Sequence, residues 1–124
     1  VDYVIVPDEI EDIKAAIKKN IDNNTSLILT SGGTGFAKRD VTPEATLELI
    51  QRQTYGISEY IRAKSLEKTN RAILSRAVSG IANNSLIINL PGSPIAVEES
   101  LNFIIDPLKH GLEILLAKDA ECAR

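Results

Sequence analysis

The stretch that most constrains this chain runs from Leu27 to Ala45 and reads Leu-Ile-Leu-Thr-Ser-Gly-Gly-Thr-Gly-Phe-Ala-Lys-Arg-Asp-Val-Thr-Pro-Glu-Ala. Leu27, Ile28 and Leu29 form a short continuous apolar run, as expected of a strand buried on both faces of a parallel sheet. Gly32, Gly33 and Gly35 then permit positive φ and let backbone N–H groups approach a ligand with no Cβ in the way. Thr42-Pro43-Glu44 reads as a helix start, with a hydroxyl cap, proline at the first helical position and an acid in the first turn. A glycine loop leaving the carboxyl end of a strand is where open α/β folds bind ligands. The glycines match neither standard phosphate fingerprint. No Lys-Ser/Thr follows them as in a P-loop, and Gly33-Thr34-Gly35 runs into Lys38-Arg39-Asp40 instead of opening directly into a helix.

The remainder supplies elements around that turn. Tyr3–Val6 reads as a strand, and Pro7 and Asp8 open a helix whose Ile10, Ile13, Ile17 and Ile21 recur at helical spacing. Asp8 has two readings, an acid favoured at a helix N-terminus or a member of a site. Asn23-Asn24 ends that helix. A second helix is expected from Pro43 to about Gln53 with Leu47 and Ile50 inward, broken by Gly56, and a third from Ile57 to Glu67. Residues 72–76 are an apolar connector without a clear assignment. Arg76–Ile81, a turn at Asn83-Asn84 and Leu86–Leu90 read as a hairpin whose second strand is buried. Pro91-Gly92-Ser93-Pro94 is another rigid strand-to-helix turn. In the last helix Val97, Leu101, Ile104, Leu108, Leu112 and Leu115 share one side, and Pro107 is expected to kink or split it.

This order predicts an α/β fold: a three-layer α/β/α domain with a mostly parallel sheet, occupying residues 1–124 as a single unit. Both turns, Gly32–Gly35 and Pro91–Pro94, follow buried strands and can converge on one side of the sheet. The net charge of −3 and the absence of a basic run give no sign of nucleic acid as a partner. No apolar run reaches bilayer-spanning length, so no transmembrane segment is expected. One cysteine, Cys122, excludes an internal disulfide and fits a reducing, cytoplasmic setting. His110 has no second histidine or cysteine for a transition-metal site and reads as a helix-surface residue.

Three blocks carry a resemblance. TSGGTGFAKRDVTPEAT, Ile5-Val6-Pro7-Asp8-Glu9 upstream, and Leu86-Ile87-Ile88-Asn89-Leu90-Pro91-Gly92-Ser93-Pro94 downstream stand in the order of the molybdopterin-binding family. That family comprises bacterial molybdopterin adenylyltransferase, archaeal relatives, and the G domains of plant and animal molybdenum-cofactor proteins including gephyrin. The wording is closest to the eukaryotic G domains. The resemblance implies molybdenum cofactor biosynthesis, with Mg²⁺-dependent transfer of AMP from ATP to the terminal phosphate of molybdopterin and release of pyrophosphate. It implies Asp8 and Asp40 as catalytic, metal-holding carboxylates. The backbone of Gly32, Gly33 and Gly35, Thr34, Arg39, and Pro91, Gly92 and Ser93 would hold substrate. Arg39 can equally be a mutually compensating partner of Asp40, and Thr42 a helix cap.

The nucleophile would be a phosphate monoester, largely dianionic at neutral pH because its second pKa is about 6. The harder problem is bringing two polyanions together, which calls for a divalent cation and positive dipoles. The resemblance further implies a homotrimer, and it leaves open fusion or association with a molybdenum-insertion domain. The chain departs from the family at Lys38, where many members carry proline, and it lacks the family's first strand with its Ser/Gly-rich loop. Two other functions remain open: a non-catalytic, self-associating scaffold of gephyrin type, and a different nucleotide-using α/β enzyme.

Overall fold

The hairpin about Asn83 sets the middle of the sheet. Asn83 adopts a φ of 52°, the left-handed conformation that tight hairpins demand and that asparagine tolerates. The computed structural model describes residues 1–117, so Cys122 lies outside the described residues. Four strands, β1 (Leu27–Ser31), β2 (Arg52–Gln53), β3 (Ser79–Ala82) and β4 (Ser85–Leu90), lie in the order β1-β4-β3-β2. β1 and β4 are parallel, with Leu27 opposite Leu86 and Ser31 opposite Leu90, whereas β4, β3 and β2 run antiparallel in turn. The sheet is therefore mixed, and its parallel half carries both glycine turns.

Among the described residues four helices, α1 (Ile10–Asp22), α2 (Thr42–Leu47), α3 (Tyr55–Ser65) and α4 (Pro94–Leu115), flank this sheet. Because side chains alternate along a strand, β4 feeds two cores. Ile87 joins Ile13, Ile17, Ile21, Ile28, Ala45 and Ala82 on the α1/α2 face. Leu86, Ile88 and Leu90 join Ile61, Ile104 and Leu108 on the α3/α4 face. The expected α/β/α layering and the helical spacings of α1 and α4 are as read from the sequence.

Several local readings are corrected. Tyr3–Val6 forms no strand: Tyr3 and Ile5 stand in solvent, and only Val6 packs partly against the core. Alternating apolar residues become a strand only where another strand offers them a ladder, and none of the described strands pairs with this segment. Nor is β1 buried on both faces. Ile28 is buried, but Leu29 is 41% exposed, because β1 borders the described sheet.

The helix from Pro43 stops at Leu47, which is exposed, while Ile50 packs on the core as expected. The chain then turns to pair with β3. The Gln51 amide donates to the Ile81 carbonyl at 2.9 Å, and Arg52–Gln53 become β2. Sheet pairing overrides local helix propensity there. Gly56 does not break a helix; it sits in the first turn of α3, where backbone donors have no intrahelical partner in any case.

Residues 70–74 form a 3-10 turn, and the hairpin's first strand starts at Ser79, not Arg76. α4 continues through Pro107 without splitting. Ile104 and Leu108, on either side of the proline, are both buried, and their packing offsets the lost backbone bond. His110 is exposed on α4, as expected.

Candidate functional site

The two glycine-bearing turns meet. The Gly32 amide donates to the Leu90 carbonyl at 3.0 Å, and the Ser31 hydroxyl donates to the Pro91 carbonyl at 3.0 Å. A Cβ on Gly92 would lie 3.5 Å from the Gly32 Cα, so the two backbones touch. Convergence follows from the parallel β1–β4 pairing, which brings both carboxyl ends to one edge.

The turns are built differently. After β4, the Ser93 hydroxyl accepts from the Ala96 amide at 3.1 Å, and Pro94 takes the first helical position. This hydroxyl, expected to hold substrate, is a helix cap. After β1, Thr42 does not cap its helix: Val41 occupies the cap position and no side chain accepts there. Thr42 is buried instead, its amide donating to the Gly33 carbonyl at 3.1 Å. Gly33 has a φ of 70°, and the Thr42 hydroxyl fills the space that a Cβ would need. Glycine is required there by sterics as well as by φ.

Between these points, Phe36 to Arg39 are exposed and Asp40 is half-buried. Asp40 turns back on its own loop: Oδ2 accepts from the Ala37 amide at 2.9 Å, and its amide donates to the Ala37 carbonyl. Arg39 makes no ion pair among the described residues, so it does not compensate Asp40. The cation that organises the loop is Arg76. Its backbone amide donates to the Thr34 carbonyl at 2.8 Å, and its Nε donates to the Gly35 carbonyl at 2.8 Å. Nη2 donates to the Asp40 carbonyl, and Nη1 donates to Glu44 Oε2 at 2.6 Å. The hydrogen bond from Arg76 holds the Glu44 carboxyl below the usual carboxylate range, against a smaller opposing effect of burial.

Beside the loop lies a cavity of about 300 Å³ between α3, the 3-10 turn and α4. Thr34, Gly35 and Pro91 line it, joined by Ile61, Leu74 and Asn89. Among the described residues its cations are Arg62, Lys68 and Arg71, and Glu99 is the one carboxylate in its wall. Arg62 Nη1 donates to the Ala77 carbonyl at 2.7 Å, and Lys68 stands 3.6 Å from Glu99. The wall therefore combines apolar area for a flat ring system with positive charge for an anion. Asn89 is fixed by three bonds: its amide nitrogen donates to Thr30 and Thr46, and its side-chain oxygen accepts from the Val78 amide.

Of the residues singled out from sequence, Thr34, Gly35 and Pro91 border the cavity, while Gly32, Gly33 and Gly92 form the junction behind it. Arg62, Lys68, Arg71 and Arg76 were not singled out. No spacing rule marks them, because they come from α3 and a connector that meet the loop only in three dimensions.

Asp8 is exposed, two residues before α1. Only residues 23–26 join α1 to β1. The described residues hold no cluster of three or more metal-ligating side chains. Two separate carboxylates suit Mg²⁺, which keeps several waters and takes phosphate oxygens from its substrate instead of needing a full protein cage.

A family profile described as a probable molybdopterin binding domain matches residues 1–110. The chain is 42% identical over 115 residues to molybdopterin adenylyltransferase of Helicobacter pylori strain J99, covering 92% of this chain and 65% of that protein. It is 44% identical over 116 residues to gephyrin of Dictyostelium discoideum, covering 94% of this chain and 16% of that protein. Among solved structures, the molybdopterin biosynthesis enzyme MoaB from Thermus thermophilus superposes with a TM-score of 0.82 at 46% identity, covering 88% of this chain and 69% of that one. The chain thus spans less than two thirds of the length of either relative. No helix among the described residues is long and apolar enough to cross a membrane. With the profile matched over residues 1–110 and this likeness in sequence and fold, the chain belongs to the molybdopterin-binding domain family of molybdenum cofactor biosynthesis.

Proposed function

We propose that this domain transfers AMP from ATP to the terminal phosphate of molybdopterin. The observation that carries the reading is the cavity beside the joined glycine turns, apolar in much of its wall and carrying Arg62, Lys68 and Arg71. A pterin fits the apolar part, and the cations offset phosphate charge. In the reaction a molybdopterin phosphate oxygen attacks the α-phosphorus of ATP. One P–O bond forms, the bond to the β-phosphate oxygen breaks, and pyrophosphate leaves.

Positioning and charge neutralisation dominate such a transfer, because the nucleophile is already ionised. The loop amides of Gly33, Thr34 and Gly35 and the Thr34 hydroxyl orient phosphate oxygens, the Gly32 amide being taken by the Leu90 carbonyl, and Arg39, which makes no ion pair among the described residues, extends the positive field over the loop. Asp40 and Asp8 would hold Mg²⁺, which when bound supplies charge neutralisation between the two polyanions. Asp40 keeps Oδ1 for this role, since its hydrogen bond to Ala37 falls on Oδ2.

The experiment is AMP transfer from ATP to molybdopterin by this chain and by Asp40→Asn, which preserves an oxygen for the Ala37 amide. A loss of at least about a hundredfold in kcat, with molybdopterin still bound, is the expected result. The similarity to gephyrin supports a second reading, a self-associating scaffold that binds molybdopterin without transferring AMP. Binding by both variants with transfer by neither selects that reading. Light scattering tests the homotrimer that goes with either reading, and a monomer counts against it. Hydrolysis of another nucleotide without molybdopterin affinity would defeat both.

A further inference from the structure

We infer that Arg76 is a positioning residue for AMP transfer, acting through the loop that carries Asp40. The inference rests on the functional reading above and goes beyond it by naming a residue outside the glycine turns.

The geometry is that of a strap. Gly35 and Asp40 are the two ends of a loop whose middle, Phe36 to Arg39, is exposed. The loop's own hydrogen bonds are local ones between Ala37 and Asp40. Arg76 joins both ends at once, donating from Nε to the Gly35 carbonyl and from Nη2 to the Asp40 carbonyl. Its backbone amide holds the next carbonyl upstream, that of Thr34. Thr34 and Gly35 border the cavity, so one side chain sets the distance between the cavity wall and the candidate metal-binding carboxylate.

Glu44 completes the device. It accepts from Nη1 at 2.6 Å and lies 3.4 Å from Nη2, so it holds the planar guanidinium edge-on. Only the rigid fork of arginine reaches three acceptors in one plane. A lysine at the same place keeps the charge but cannot reproduce the three directions. Arg76 lines the adjoining cavity of Tyr55, Arg62 and Val78 but not the one beside the loop, and it reaches Asp40 through the backbone carbonyl, not the carboxylate.

The test compares the wild-type chain with Arg76→Lys and Glu44→Gln. Arg76→Lys is expected to lower kcat by about tenfold or more while the KM for molybdopterin and ATP each move less than about threefold. Amides of residues 35–40 should exchange hydrogen faster by about tenfold in this variant, and those of β4 should be unchanged. Glu44→Gln, which keeps an acceptor for Nη1 and leaves every Arg76 backbone contact in place, is expected to lower kcat by about threefold.

An unchanged kcat per folded molecule in Arg76→Lys overturns the inference. So does a loss of protection spread equally over β4 and the loop, because that is general destabilisation. If the wild-type chain transfers no AMP, the functional reading fails instead. Exchange of residues 35–40 and molybdopterin affinity then decide the strap on their own, and Arg76→Lys matching wild type in both overturns it.

Discussion

β1 and β4 end in turns that touch, yet the two strand–turn–helix units are built by different means. β4 is buried along its whole length, passes through three residues, 91–93, and enters a helix of 22 residues. β1 is part-exposed, passes through a loop of ten residues, 32–41, and enters a helix of six. The short turn stabilises itself locally, with a serine cap and a proline at the first helical position. The long loop has no side-chain cap and depends on a cation from another part of the chain. A surface loop of this length makes few bonds of its own, and a distant residue then has to hold it in shape.

The contrast is sharpest in the strands. Ile88→Ala in β4 is expected to cost about 3–4 kcal/mol, as a fully buried branched side chain leaves a cavity, whereas Leu29→Ala in β1 should cost less than about 1 kcal/mol. Chemical denaturation of the two variants checks this, and equal losses would mean that β1 is covered in solution. The turns come next. Gly33→Ala is expected to destabilise by about 2 kcal/mol, from the left-handed φ and the Thr42 hydroxyl in the way. Gly92→Ala, whose Cβ would make ordinary contact at 3.5 Å, should cost under about 1 kcal/mol. Comparable melting temperatures for both would remove the distinction between the corners.

Third is the cap. Ser93→Ala should lose about 1 kcal/mol, while Thr42→Ala should lose no capping bond because Thr42 makes none, a difference readable by thermal melting. The smallest effect is the pH dependence of the long loop. Arg76 lowers the Glu44 pKa in the folded state, so this pair contributes stability above the unfolded carboxylate pKa, and the contribution is lost as pH falls through the folded one. Both groups are part-exposed, so less than about 1 kcal/mol is expected, and Glu44→Gln should flatten that part of the acid limb.

Legibility in the sequence followed the range of each interaction. The helical spacing of Ile13, Ile17 and Ile21, the buried run of β4 and the Pro91–Pro94 turn were readable because each depends on neighbours within a few positions. Tyr3–Val6 and Gln51–Gln53 were misread for the same reason. A strand exists by virtue of its partner, which Gln51 finds in Ile81 and Tyr3 does not find among the described strands. Asp40 was found beside its glycines, but Arg76, 36 residues further along, carries no local mark. The same limit hid Arg62, Lys68 and Arg71 in the cavity wall.

The sequence by itself determined the layered α/β plan, the two glycine turns and the family, since periodicity and turn chemistry are written over short spans. Tertiary structure alone decided which apolar strand is covered, which hydroxyls cap and which pack, and that a single guanidinium spans the ends of the Asp40 loop. The physical reason is that burial and multi-acceptor hydrogen bonding depend on groups far apart in the chain, and only the parallel pairing of β1 with β4 and the packing of α3 against them bring those groups within reach.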